Sequence, residues 1–481
     1  MLTDSGLPST TYTPINNSTY LWIIASVAAL GGLLFGYDWV VIGGAKPFYE
    51  AYFRLGSEAL VGWANSCALV GCLLGSVLSG GVSDQLGRKK LLVASGFLFG
   101  VSSLLTGAAT AFSWFVFWRI VGGMAIGIAS NVSPTYIAEI SPAVWRGRLV
   151  SLNQLTIVIG ILLAQIVNWS IAQPVASTAR AAEIRASWNG QVGWRWMFFA
   201  IAVPSLVFLV SATFVPESPR WLLKKSRTRN ALDVLTKIGG PEYGLLSVSE
   251  IKSSLEAEAD ARKVGGPSPQ ITRILWIGVA LAVLQQWSGI NVIFNYAVEI
   301  YRSAGYGLSD VLFNIVITGA VNVVATLVSF GFVDRLGRRS LMLAGCAGIG
   351  LSHLLIGAAY RAHLGGWPLL VFTLAAIGCY GASLAPVTWV LISELFPNRI
   401  RGFGVSVAVS ALWIASFLLT FTFPLILRTL GADGTFWLYA AVCLGGFFFV
   451  WRNVPETKGK SLEQIEQQLM MGVRDQRKGP T

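Results

Sequence analysis

The stretch LQQWSGINVIFNY carries Gln285, Gln286, Asn291 and Asn295, with Ser288 and Tyr296, inside an apolar run from Ile274 to about Tyr301. Four side-chain amides in such a setting are costly unless each finds a partner. At about 100° per residue, Gln285, Ser288, Asn291 and Asn295 share roughly 120° of a helix surface, with Tyr296 beside Gln285. Gln286 lies outside that arc unless the helix is interrupted, and Gly289 is where it could unwind. Irregular backbone at membrane depth is tolerated only beside protein or a water-filled cavity. An amide both donates and accepts, and it carries no charge. A cluster of amides beside aromatic rings suits a neutral, hydroxyl-rich molecule whose C–H faces pack on the rings. Gln154, Asn322, Trp389 and Trp413, in other apolar runs, offer complementary groups. Polar contacts between helices are the plainer alternative, but they account for one glutamine better than for four amides near one break.

Two charges lie deep in apolar runs of their own, Asp38 and Arg119. Counted from the predicted span ends, both fall in the outer half of a bilayer. An unpaired charge there is expensive, so an ion pair is expected. Protonating Asp38 would neutralise the carboxyl and release Arg119, and deprotonation would restore the pair. The pair is then either a proton switch or a static structural contact.

The elements that must hold these groups are membrane helices. The chain has 481 residues, 54% hydrophobic and only 12% charged. Apolar runs of about 20 residues recur along its length, each long enough to cross a hydrocarbon core. The pattern predicts twelve spans, at about 21–46, 59–81, 91–111, 114–137, 149–172, 195–215, 272–301, 309–333, 340–360, 366–392, 404–427 and 434–453. The formal charge of +12 does not indicate nucleic acid, because the basic residues cluster in short breaks such as LGRKK, RLGRR and NRIR. About three-quarters of the Lys and Arg fall on the side of the even-numbered breaks and the tail, which places both termini in the cytoplasm. The organisation expected is a cytoplasmic tail (1–20), a six-helix bundle (21–215), a helical cytoplasmic linker (216–271), a second six-helix bundle (272–453) and a cytoplasmic tail (454–481). Nothing resembles a cleavable signal. Five cysteines sit in apolar runs without a CxxC, and two histidines form no ligand cluster, so packing roles are expected and no metal.

The two halves repeat one another. GGVSDQLGRKK returns as GFVDRLGRRS, EISPAVWRG as ELFPNRIRG, and PESPRWL as PETKGKSL. Parallel repeats at half-chain spacing are expected of a rocking secondary transporter. The repeats bring Asp84, Arg88, Glu139, Arg146 and Glu217 to the cytoplasmic face of one half, and Asp334, Arg338, Glu394, Arg401 and Glu456 to that of the other. Pairs among them are expected to hold the halves together when the outside is open. Glycine pairs four residues apart, such as Gly71 and Gly75 or Gly123 and Gly127, predict close helix packing.

FGYDWVVIGG, YIAEISPAVWRGRLVSLNQ, VPESPRWL, QQWSGINVIFNYA, VDRLGRRS, SELFPNRIRG and VPETKGKSLEQIE, in this order, resemble the sugar porter family of the major facilitator superfamily. The resemblance runs from about Phe35 to Glu466. It implies an all-α membrane fold of twelve helices in two six-helix halves, with helical segments in the central loop. It implies monosaccharide or polyol contacts at Gln154, Gln285, Gln286, Asn291, Asn322 and Trp389, and at Phe35, Tyr296 and Trp413. A carboxylate at Asp38 resembles the proton symporters, whereas facilitators commonly carry Asn there. The sequence departs from the bacterial xylose-type pattern at Ile161 and Leu412, where glutamines are expected. Ala385 stands for a usual glycine, and Asn295 for a residue more often aromatic. These changes alter which hydroxyls are read, so xylose does not follow.

The function expected is import of a monosaccharide by proton symport, in a bacterial inner membrane, by a protein that works as a monomer. The alternatives are an uncoupled facilitator and a non-transporting sugar sensor. An enzyme or ATP-driven pump is disfavoured, because no nucleophile–base pair, metal cluster or G-x-x-x-x-G-K-[ST] loop is present. The proton is the coupling ion expected, and no other cofactor is.

Overall fold

The computed structural model describes residues 17–175, 179–263, 269–303, 305–396 and 401–458. Among these the chain is nearly all helical. Span 1 is Ser18–Phe53, span 2 Glu58–Leu86, span 3 Arg88–Ala108, span 4 Phe112–Ile140 and span 5 Ala143–Ile171. Span 6 covers Asn189–Phe214 and opens with a π-helical turn. Span 8 is Leu308–Leu336 and span 9 Arg338–Arg361. Helical backbone bonding runs from Arg401 to Asn453, but Gly431 (φ 72°, ψ 175°) breaks this stretch. A straight helix of that length would be about 80 Å long, far more than a bilayer needs. Gly431 thus divides span 11 (401–430) from span 12 (432–453), and the described residues make twelve crossings.

Span 1 is longer than its apolar run. It continues through Pro47 to a left-handed cap at Arg54. Asp38 consequently lies near the middle of the helix and not toward its outer end. Two spans are interrupted. Span 7 consists of Pro269–Trp287, Ile290–Asn295 and Ala297–Ser303, and span 10 of Trp367–Ala382 and Leu384–Leu395. The linker after span 6 holds helices Pro219–Lys224, Thr228–Gly239 and Pro241–Lys263. A short helix, Ala181–Ala186, precedes span 6 in a loop the sequence left featureless.

Glycines set the tightest packing. Gly71 and Gly75 of span 2 rest on the carbonyls of Ile120 and Met124, while Gly123 and Gly127 of span 4 rest on those of Ala68 and Cys72. Each Cβ would overlap backbone, so the reciprocal glycine pairs fix how closely these helices approach.

Contacts joining the two halves lie in the middle of the bundle and toward the face opposite the basic loops, here the far face. Lys46 pairs with Glu299, Trp63 packs on Phe417, and Trp169 on Phe313. Gly62 lies against the Phe421 carbonyl. The far side of the molecule is closed.

Candidate functional site

The amide-rich stretch is broken at the expected residue. Gly289 adopts φ 85°, and a side chain there would press on the Tyr439 ring and on His353. Only glycine takes this conformation without strain. The Ser288 carbonyl at the break is met by His353 Nε2 at 2.7 Å. A carbonyl only accepts, so Nε2 carries the proton.

The break brings Gln286 into line with its neighbours. Asn291 donates to the Gln286 carbonyl oxygen, Gln286 Nε2 donates to Gln285 Oε1 at 2.6 Å, and Gln285 Nε2 donates to the Tyr380 hydroxyl at 2.9 Å. Three amides on span 7 are thus chained to span 10. All three are buried. Such a chain holds each amide in one orientation, which a site that discriminates hydroxyl positions requires.

Other predicted groups surround this chain. Asn295 and Asn322 are buried, and the Oδ1 of each has no hydrogen-bond partner. Trp413 is 1% exposed and its Nε1 is likewise unpartnered. Phe35 and Trp413 meet at 5.7 Å between centroids, joining span 1 to span 11, and Trp39 completes the aromatic group at about 6 Å from each. Gln154 and Trp389 are half-buried on spans 5 and 10. Ile161, Ala385 and Leu412 are buried apolar residues. Tyr296 stands apart. Its hydroxyl donates to the Thr420 carbonyl at 2.7 Å, and its ring lies under the Lys46 ammonium at 4.1 Å and against Phe423. It belongs to the far-face closure.

Asp38 and Arg119 meet as expected. Arg119 Nη1 donates to both carboxylate oxygens, at 2.8 and 2.9 Å, and both residues are buried. Arg119 lines a small cavity with Trp39, Asn65 and Asn295. The ion pair therefore adjoins the aromatic and amide groups.

The basic-face motifs form two matching networks. Arg88 pairs with Glu139 at 2.9 Å and with Asp84 at 3.2 Å, and Lys224 reaches Asp84 at 2.6 Å. Arg338 pairs with Glu394 at 3.4 Å. Glu217 accepts the backbone N–H groups of Arg88 and Lys89, and Glu456 accepts those of Arg338 and Arg339. The residue preceding each helix is glycine at positive φ, Gly87 and Gly337, with no side chain to cap it. A Cβ on either would strike the carboxylate. A distant glutamate thus takes the place of the N-cap and suits the positive end of the helix. Ser218 and Thr457 complete the match by donating to Glu139 and Glu394.

Among the described residues, the contacts named above close within one half each. Loop, carboxylate and partner arginine all come from one six-span repeat; the bridging of the halves expected here belongs to a state open to the outside, whereas the far side is closed in this structure. Arg146 is exposed, outside the N-terminal network. The side chains of Asp334 and Arg401 lie outside the described residues. Sequence reasoning missed Trp39, Asn65, Tyr380 and His353. Trp39 directly follows Asp38, so its nearness to the ion pair was a usable signal. The other three are single polar residues in apolar runs and gave none.

The chain resembles known proteins along nearly its whole length. Residues 24–469 match the family model described as sugar (and other) transporter. A glucose transport protein of Synechocystis is 38% identical, with 93% of this chain and 97% of that protein covered. The D-xylose-proton symporter of Escherichia coli K12 is 36% identical over 94% of this chain and 96% of its own. The E. coli xylose transporter, solved in a partially occluded inward-open conformation, superposes with a TM-score of 0.81 at 34% identity, covering 92% of this chain and all of that one. With an ion pair in the first and an amide chain in the second of two repeated six-span halves, the chain belongs to the sugar transporter family of the major facilitator superfamily.

Proposed function

We propose that this protein imports a monosaccharide across a bacterial inner membrane by proton symport, with both termini in the cytoplasm and the far face outside. The observation that carries the reading is the buried Asp38–Arg119 pair beside a cavity that Asn295 and Trp39 also line. The arginine that holds the Asp38 carboxylate thus shares one small space with groups suited to a sugar.

The Gln285–Gln286–Asn291 chain and the amides of Gln154, Asn295 and Asn322 meet the sugar hydroxyls. Phe35, Trp389 and Trp413 pack on its C–H faces. Protonating Asp38 leaves Arg119 as a buried cation without its anion, a costly arrangement that favours a different packing of span 1 on span 4. Once the outer face has closed again, releasing the proton to the cytoplasm restores the pair. The Glu139 and Glu394 networks, with Asp84, Arg88, Arg338, Glu217 and Glu456, brace the cytoplasmic ends of each half so that it moves as a body. Arg146 and Arg401 lie at the same ends. The outer side being closed, the conformation described faces the cytoplasm. The proton is the coupling ion, the surrounding bilayer is the medium, and a monomer suffices because both halves of the site come from one chain.

Uptake of labelled pentoses, hexoses and polyols into proteoliposomes, with and without an inward proton gradient, tests the reading. Gradient-dependent accumulation of at least one monosaccharide is expected. Equilibration that ignores the gradient would make the protein a facilitator, and no transport of any sugar would remove the assignment.

A further inference from the structure

We infer that Gln165, on span 5, is a specificity-determining residue that meets the exocyclic hydroxymethyl group of a hexose. The inference rests on the sugar-transport reading above. Gln165 is 1% exposed, and neither its Oε1 nor its Nε2 has a hydrogen-bond partner. An amide buried with both ends open is unusual and costly, so it points to a group that is satisfied in another state or by a ligand.

Its position agrees with the second possibility. Gln165 lies eleven residues after Gln154, which at about 100° per residue puts the two amides within roughly 20° on one face of span 5. Ile161 shares that face, one turn nearer the cytoplasm. The Gln165 amide rests on Gly319 of span 8, where any Cβ would overlap Oε1. Asn322, one turn further along span 8, is buried with its own Oδ1 unpartnered. The open Gln165 amide and the unpartnered Asn322 Oδ1 therefore flank one turn of span 8 at the junction of the halves. This junction must part when the outer side opens, so sugar entering from outside passes Gln165.

The chemistry follows from the neighbouring isoleucine. A glutamine at position 161, which the bacterial xylose-type pattern would supply, would meet a ring hydroxyl. Here Ile161 presents a methyl group, and the nearest amide on that face is displaced outward by about 6 Å. A hydroxyl attached directly to the ring falls short of it. A hydroxyl carried on a carbon outside the ring reaches farther, and six-carbon pyranoses have that carbon whereas five-carbon ones do not.

The test compares sugars that differ only in this group, D-glucose with D-xylose and D-galactose with L-arabinose. Uptake by wild type, Gln165→Leu and Gln165→Asn is measured in proteoliposomes as KM and maximal rate. Sugar-induced thermal shifts of the purified proteins report binding even where a variant does not turn over. Gln165→Leu is expected to raise KM for the hexoses about tenfold or more, and to change KM for the pentoses and all maximal rates less than about twofold. Gln165→Asn is expected to restore part of the hexose affinity. Equal changes for hexose and pentose, an unchanged ratio, or a wild type that takes only pentoses would overturn the inference while leaving sugar transport standing. A wild type that neither transports nor binds any of the four sugars would remove the reading beneath it.

Discussion

Lys46 and Glu299 form the ion pair by which span 1 meets span 7 at the closed end of the transporter. Lys46 is 2% exposed, Glu50 lies 3.6 Å away one turn along, and the Tyr296 ring sits beneath the ammonium. The pair comes from opposite halves, whereas the networks at the basic face do not. Removing Lys46 leaves two half-buried carboxylates without the ammonium between them, at a cost below the about 3–5 kcal/mol lost when one partner of a fully buried pair is removed.

Lys46→Met is therefore expected to open the outer face. Spin labels on Trp169→Cys and Phe313→Cys, whose native rings are 5.8 Å apart, report the distance between spans 5 and 8. A population shifted to longer distances is expected for Lys46→Met, with partial reversal in the double variant Lys46→Met/Glu299→Met. An unchanged distance distribution would show that the pair does not hold the face closed.

The two carboxylate caps carry a second prediction. Glu217→Ala and Glu456→Ala each remove the acceptor from two backbone N–H groups at a helix start. Each is expected to cost about 1–2 kcal/mol, the usual loss for an N-cap. Thermal unfolding in detergent should show lower midpoints for both, with similar size because the geometry repeats. Gly87→Ala should cost at least as much, since it combines positive φ with a clash against Glu217.

Asn295 and Tyr296 are neighbours in sequence with different surroundings, and substitution separates them. Asn295→Ala is expected to raise the sugar KM by a factor of about 5–150, the range for one lost buried hydrogen bond of about 1–3 kcal/mol. Tyr296→Phe removes only the hydroxyl bonded to Thr420, so sugar affinity should stay within about twofold while outer closure weakens. The two readouts are equilibrium sugar binding and the spin-label distance above.

Much of this was legible in the sequence because bilayer thickness imposes a length on every span and the basic loops mark one face. The break at Gly289 and the meeting of Asp38 with Arg119 follow from the cost of polar groups in hydrocarbon, so residue type alone announced them. The extension of span 1 to Phe53 was hidden. Pro47 is a helix-ending signal and Lys46 a loop-like charge, and both are overruled by packing that buries Lys46, Phe48 and Tyr49 around them. The networks at the basic face were legible as motifs but not in their pairing. Spacing shows that Glu217 repeats as Glu456, yet only the backbone path shows that each caps the helix of its own half. Arg146 shows the limit of repeat logic, since equal spacing brought it to the right face but not into the N-terminal network.

Proton-driven uptake by wild type and Asp38→Asn, side by side in proteoliposomes, tests the central claim most directly. One proton entering down one pH unit and 100 mV releases about 3.7 kcal/mol, enough for roughly 500-fold accumulation of one sugar. The wild type is expected to accumulate sugar far above equilibrium. Asp38→Asn, which cannot release a proton, is expected only to equilibrate it while still exchanging internal for external sugar. Accumulation by Asp38→Asn equal to that of the wild type would contradict the account.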